Sequence, residues 1–475
     1  MKILFLNLPN EEQITRRYMC SYVSPESLMP PLELLSCASV AREWNGVEVK
    51  LIDAIAEKKS TAETITDIME YSPDIVLSIT GFECFEQDID IFNVIKQAIP
   101  SAIYIYFGHY ATHFPEQTLQ YSNADLVILG EPEMVFTSLV DCILHNGDIA
   151  LVQGIARVNQ VGHFTIQGTS ARIKDPNDLP IPAYDLLPKG DYYFEPLIPR
   201  PYGMIQTIRG CPYKCNYCVK SYGTKLSQLS TDRVIEEIKI WKELYGVKAI
   251  RFIDDTFTIN RRRVIDLSKA IIDQNLDINW VCLSRTDNLD EEMLLWMKKS
   301  GCIRIYFGME TGSQRMLGIY KKEVKKEEAM SALQLCNKIG IETAAFFMSG
   351  HPEETNDDIN ETIDFAIDAK IDFVSFNPLT PYPGTEIFSI YKDMIDFSIY
   401  PYRNEWKNNQ MISEFTKNKK RFYRSVYLSR KTFFQRVSII KSYPFEAFRL
   451  LVGFFRYLFL DAKFIISGLK GSQDK

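Results

Sequence analysis

Long apolar runs are missing from this chain of 475 residues. No stretch of 18 uncharged apolar residues occurs, so no membrane-spanning helix is expected. The opening Met1-Lys2-Ile3-Leu4-Phe5-Leu6-Asn7-Leu8-Pro9 is too short and too soon broken for a secretory leader. The expectation is a cytoplasmic protein, where the ten cysteines do not read as a disulfide framework. A net charge of −7 supplies no overall basic field, and nucleic acid is not expected as a partner. What is present is ordinary globular composition. Hydrophobic residues at 46% and charged residues at 24% suit two or three domains with sizeable cores.

Seven of the ten cysteines stand singly and read as small core hydrophobes. The other three form Cys211-Pro212-Tyr213-Lys214-Cys215-Asn216-Tyr217-Cys218. They follow a strand-like run, Gly203 to Ile208, and a turn, Arg209-Gly210. Three thiolates on one short loop hold three irons of a [4Fe–4S] cluster and leave the fourth open. Zinc is the alternative, but it wants a fourth ligand. The next cysteine is Cys282 and the nearest histidine is His163. The open iron suits S-adenosylmethionine (SAM), bound through its amino and carboxylate groups. One electron from the cluster then cleaves the sulfonium to a 5′-deoxyadenosyl radical, chemistry that belongs to the cofactor. The stretch resembles the signature of the radical SAM superfamily. That resemblance implies that the backbone of Tyr217 contacts the adenine.

Residues 1–149 alternate short apolar strands with helical patterns, which predicts a doubly wound parallel α/β sheet. Strands are expected at Ile3–Leu6, Val47–Ile52, Ile75–Ile79, Ile103–Phe107 and Leu126–Leu129. Ligands on such sheets sit at the carboxyl ends of strands. There the chain places Ser78-Ile79-Thr80-Gly81, then Gly108-His109-Tyr110, then Gly130-Glu131. The set resembles the Rossmann-like cobalamin-binding domain fused to many radical SAM enzymes. It implies Ser78, Gly108, His109, Gly130 and Glu131 as cobalamin-site residues. One departure is clear: the loop after the first strand lacks Asp-x-His-x-x-Gly. Cobalamin is therefore expected without a histidine on cobalt. His109 either lines the nucleotide-tail pocket or is a solvated loop histidine.

Residues 150–198 read as a small hairpin, Gly154–Val158 and His163–Gln167, and a Pro-rich connector. Residues 199–385 return to strand-helix alternation, with six strands, too few for a closed eight-stranded barrel. The resemblance implies a partial (β/α)6 barrel. Polar groups follow its strands: Asp254, Asp255, Arg285 and Glu310 among them. Carboxylates suit the SAM amino group and ribose, and an arginine suits a carboxylate. Helix capping is the other reading of these loops. By resemblance, Asp254-Asp255 occupies the place of a Gly-Gly-Glu motif that is itself absent, and Glu310 the ribose-contacting position.

The whole layout resembles cobalamin-binding radical SAM enzymes, a group with many methyltransferases and the anaerobic ring-forming cyclase of bacteriochlorophyll synthesis. The resemblance implies methylation of an unactivated carbon, with a [4Fe–4S] cluster, SAM and cobalamin as cofactors. It also implies an electron donor such as flavodoxin or ferredoxin. Cyclisation or rearrangement with the same cofactors, or a non-catalytic cobalamin- or metal-binding regulator, are the alternatives.

Residues 386–475 form a basic, aromatic, helical C-terminal region. Residues 401–475 hold 16 Lys+Arg against 5 Asp+Glu, while the rest of the chain holds 38 against 56. Phe445 to Leu469 is apolar but broken by Arg449, Arg456, Asp461 and Lys463. That pattern suits a helix lying in a membrane interface, or one packed on the barrel. A lipid-like substrate and peripheral contact with the inner face of the membrane are expected. Vesicle co-sedimentation tests this: the full chain should bind anionic vesicles at low salt, and a chain ending near Tyr400 should not. If neither sediments, the tail is a cap.

Overall fold

The computed structural model describes residues 1–18, 21–24, 27–159, 161–169, 172–395 and 409–432. The fold is α/β, built on two main sheets of parallel strands with helices. The first sheet contains β1 (Lys2–Asn7), and the chain leaves it through a short hairpin, β2 (Ile14–Arg16) and β3 (Ser21–Val23). Next come β4 (Glu48–Asp53), β5 (Ile75–Ile79), β6 (Ile103–Phe107) and β7 (Leu126–Ile128). Their parallel order is β4-β1-β5-β6-β7. The chain reverses direction of growth between β1 and β5, which opens a crevice at their carboxyl ends.

Alternation along β1 shows why both faces are covered. Ile3 and Phe5 pack with Leu35 and Phe136 on one side. Leu4 and Leu6 pack with Ile68 and Phe92 on the other. Period-two side chains on a strand buried on both faces give the continuous apolar run seen in the sequence. The hairpin expected in the connector, β8 (Ile155–Val158) and β9 (Phe164–Gln167), belongs to this sheet instead. β8 pairs antiparallel with β7 and satisfies an edge that would otherwise be open.

The second sheet is all parallel and runs in sequence order. It starts at β10 (Tyr202–Ile205) and leaves through a small antiparallel pair, β11 (Ile208–Arg209) with β12 (Ser227–Gln228). It then adds β13 (Ala249–Phe252), β14 (Asn279–Ser284), β15 (Cys302–Glu310), β16 (Glu342–Ser349) and β17 (Phe373–Pro378). The number of strands matches the expectation. The cysteine loop lies between β11 and β12, at the carboxyl end of β10.

Charge is buried beside the loop that follows β1. Arg16 on β2 is fully buried and pairs with Asp88 at 2.6 Å. Its guanidinium also donates to Asn7 Oδ1 and the Leu8 carbonyl, both at 2.9 Å. This arginine gives the loop after β1 its shape. Tyr184 of the connector packs on Trp241 and donates to Glu237 at 2.7 Å, so the Pro-rich passage is ordered against the second sheet.

The helix Asn409–Tyr427 carries the basic cluster, and its aromatic side is turned inward. Phe422 is fully buried and stacks on Phe376 of β17, with centroids 4.4 Å apart. The Phe376 N–H donates to the Tyr423 hydroxyl at 3.1 Å. This helix therefore covers the edge of the second sheet. The Phe445–Leu469 segment lies outside the described residues. No helix among the described residues is long and apolar enough to cross a membrane.

Gly203 on β10 lies under the Trp241 ring. A Cβ there would stand 2.6 Å from Trp241 Cδ2 and 3.0 Å from Ile250 Cδ1. Gly203→Ala should cost about 1–3 kcal/mol through overpacking. Denaturant unfolding checks it: a midpoint unchanged from wild type would mean that the strand and the ring part freely.

Candidate functional site

Arg209-Gly210-Cys211 opens the cysteine loop, and each residue is fixed by a different contact. Arg209 is buried between two carboxylates of the first sheet's last βα loop. It donates to Glu131 at 3.0 Å and to Glu133 at 2.5 Å. Its guanidinium also lies 4.9 Å from the Tyr222 ring centroid. Gly210 has φ +86°, and a Cβ would meet the Lys225 carbonyl at 2.3 Å. The Cys211 N–H donates to the Gly223 carbonyl at 3.1 Å.

Cys211 and Cys215 are partly buried and Cys218 is exposed. The Cys211 and Cys218 thiols sense the charge of Cys215 and that of Asp255. Burial pushes the Cys211 thiol above its ordinary value, and Asp255 adds to this. A bound cation would reverse that and hold the sulfurs as thiolates. No three His, Cys, Asp or Glu side chains among the described residues are grouped for a single metal ion. A cluster spreads its thiolates over separate irons, so it asks for a wider set than zinc does.

Around the loop stand the expected polar residues, in unequal roles. Asp255 has no hydrogen-bond partner for its carboxylate among the described residues. Burial, with Asp254 adding to it, pushes its pKa up to about 6. Capping does not claim it, because Asn260 and Asp290 cap the next two helices. Glu310 stands at φ +67°, at a bulge between β15 and β16, a strained setting for a non-glycine residue. It accepts from Lys322 Nζ at 3.0 Å. The same ammonium donates to the Tyr217 hydroxyl at 3.3 Å. Tyr217 packs edge-on against Tyr320, with centroids 5.4 Å apart.

Other expected cofactor contacts are engaged within the protein. Asp254 is fully buried and accepts from the Thr207 and Ile208 N–H groups at 2.5 and 2.8 Å. It ties β13 to the strand before the cysteines. Ser78 donates to the Leu6 carbonyl at 3.0 Å inside the first sheet. Glu131 is committed to Arg209. Arg285 pairs with Asp287 at 2.7 Å and stacks 3.7 Å from the Tyr213 ring centroid. Its Nη1 lies 3.7 Å from Cys215 Sγ, so it steadies the loop. Gly108 has φ +124°, and a Cβ there would strike the Thr80 carbonyl at 2.1 Å. It lets two loops of the first sheet touch.

A cavity of about 530 Å³ joins the two sheets. His109, Thr112, His113 and Gly130 line it from the first sheet, and Cys215 and Cys218 from the cysteine loop. His109 is no solvated loop residue. It begins a short helix, is 3% exposed, and lies 4.7 Å from the His113 ring. Burial, with His113 adding to it, holds its pKa down to about 3, so it is neutral at pH 7. Three buried polar atoms of cavity-lining residues lack partners: His109 Nε2, Asn216 Oδ1 and Ser221 Oγ. Each such atom costs about 1–3 kcal/mol unless a ligand or water meets it. The wall therefore fits a large, hydrogen-bonding occupant.

A model of the radical SAM superfamily matches residues 205–366. An uncharacterized methyltransferase of Pyrococcus horikoshii is 33% identical over 391 residues, 82% of either chain. This chain belongs to the radical SAM superfamily. The anaerobic magnesium-protoporphyrin IX monomethyl ester cyclase of Cereibacter sphaeroides is 24% identical, over 78% of this chain and 62% of its own. Among solved structures, the radical SAM methyltransferase TsrM of Kitasatospora setae, with cobalamin and a [4Fe–4S] cluster bound, has a TM-score of 0.66. It is 18% identical and matches 83% of this chain and 75% of its own, a likeness of fold.

A radical SAM enzyme uses SAM with a [4Fe–4S] cluster, and Cys211, Cys215 and Cys218 are the residues here able to hold the cluster. Lys322 was not foreseen from sequence. It is 4% exposed, held between Glu310 and Tyr217. Changing any of the three cysteines to Ala should abolish SAM cleavage, read as loss of 5′-deoxyadenosine under reductant. Cleavage retained in any single variant would remove that cysteine from the site.

Proposed function

We propose that this radical SAM enzyme is a cobalamin-dependent methyltransferase acting on an unactivated carbon of a hydrophobic substrate. In this reading the first sheet is the cobalamin domain, extended by the β8–β9 hairpin. The second sheet is a partial (β/α)6 barrel for the cluster and SAM. The observation that carries the reading is the cavity between them. One wall bears two of the three cysteines; the other bears the loops after β6 and β7. Carboxyl ends of both sheets thus open on one chamber.

When bound, the cluster supplies the electron that cleaves SAM, and cobalamin supplies a methyl carrier. The protein's share is placement. Asp255, free of capping and of ion pairing, offers oxygens to the SAM amino group. Glu310, held by Lys322, offers them to the ribose. Tyr217 is fixed from both sides and sets the edge of the adenine site. His109 Nε2, Asn216 Oδ1 and Ser221 Oγ are ready to meet the amide-rich rim of a corrin. No histidine precedes His109, so the loop after β1 offers cobalt no imidazole. A low-potential donor such as flavodoxin or ferredoxin is the reductant in this scheme. Residues 433–475 carry the membrane-contact reading, and truncation after Thr432 spares the covering helix.

The cyclase relative supports one other reading, oxidative ring formation with the same cofactors. Anaerobic reconstitution with SAM, cobalamin and reductant separates the two. Methyl transfer should yield 5′-deoxyadenosine, S-adenosylhomocysteine and a product heavier by one methyl. A product without added mass from methyl would exclude methyl transfer, and failure to bind cobalamin would exclude the cofactor.

A further inference from the structure

The cysteine-loop side of the cavity carries charge of one sign. Lys214, Lys220 and Lys321 line it against one carboxylate, Glu386. Glu386 is already engaged, since Lys321 donates to it at 2.5 Å. Among the described residues, neither Lys214 nor Lys220 has an ion-pair partner. Next to Lys220 in sequence is Ser221, whose buried Oγ lines the same cavity without a partner. Across the cavity the neutral His109 offers Nε2, also unpartnered. Two free ammonium groups and an unsatisfied hydroxyl among the lining residues, with no free carboxylate in the recess, favour an anion over a neutral or cationic group.

We propose that Lys214, Lys220 and Ser221 form an anion subsite, which binds a phosphate or carboxylate of a molecule occupying this cavity. The subsite rests on the reading of the cavity as the shared chamber for cofactor and substrate. Two sources share the chemistry. One is the phosphodiester of cobalamin's nucleotide loop. The other is an acidic group on the substrate, which would make the substrate an amphiphile with an apolar body and an anionic end. The lysines reach with long flexible stems, and so tolerate either.

The test uses the full-length reconstituted protein, the K214Q/K220Q double variant and, separately, S221A. Binding of cobalamin, and of cobinamide, which lacks the phosphodiester, is read by absorbance. Binding of inorganic phosphate to the protein with and without cobalamin is read by calorimetry. A tenfold or greater loss of cobalamin affinity in the variants, with cobinamide unchanged, assigns the subsite to the cofactor's phosphodiester. Unchanged cobalamin binding with a tenfold loss of phosphate affinity assigns it to the substrate. Variants that match wild type for all three probes overturn the subsite. So does an equal loss for cobalamin and cobinamide without loss for phosphate, because the defect would then lie in corrin binding. If the wild type binds phosphate through these residues but no cobalamin, the subsite stands and the cobalamin reading falls.

Discussion

Everything at the site hangs on one buried cation. Arg209 sits two residues before the first cysteine, and its guanidinium is held by Glu131 and Glu133 of the first sheet. Taking three charges out of water costs several kcal/mol per ion. The pairing offsets that only with good geometry, which is present here in two hydrogen bonds and an aromatic neighbour. Removing the arginine would strand Glu133 and leave Glu131 with Arg172, 3.8 Å away, a loss on the order of 3–5 kcal/mol. Burial already pushes Glu131 above its ordinary value against the arginine's pull. The pair therefore contributes little net stability, and its worth lies in register. It locks the start of the cysteine loop to the loop that also presents Gly130 to the cavity.

Much of this was legible in the sequence, and the reason is periodicity. Strands buried on both faces make continuous apolar runs, so β5 and β6 coincide with the expected Ile75–Ile79 and Ile103–Phe107. The three cysteines are equally plain, because their chemistry is local to eight residues. Direction is what the sequence hides. Asp254 and Asp255 are neighbours after one strand, yet one turns into the protein to hold Thr207 and the other stays unpartnered. Ser78 and Glu131 sit at carboxyl ends, where ligands bind, but their partners are 72 and 78 residues away in the chain. A long-range partner leaves no mark on local pattern. The same is true of Lys322, whose burial depends on Glu310 and Tyr217 meeting it from two other segments.

The covering helix illustrates a second limit. Lys417, Lys419, Lys420, Arg421 and Arg424 beside Phe422 and Tyr423 suit a membrane surface or a packed cap equally well, since both need one apolar stripe and one charged face. Only the partner decides, and Phe376 of β17 is that partner. A parallel sheet that ends at β17 leaves an edge strand needing cover. The Tyr423 hydroxyl accepts from the Phe376 N–H. The aromatic residues of this helix are thereby spent on the fold.

The electrostatics of the chamber follow from how each wall is made. Near the cysteines, Asp255 and Glu310 are carboxylates in a poorly solvated place. Burial pushes Asp255 up to about 6, so a cationic group arriving beside it favours its charged form and is bound by it. Glu310 is instead held by Lys322, which fixes its position at the cost of strained backbone. The far wall is different in kind. Its His109 imidazole is neutral, while the free lysines, Lys214 and Lys220, stand on the cysteine-loop side. A sulfonium and an ammonium group are therefore favoured beside the carboxylates, and negative charge beside the lysines. The chamber is walled by side chains drawn from both sheets, and the pairing of Arg209 with Glu131 and Glu133 is one of the contacts that hold them together.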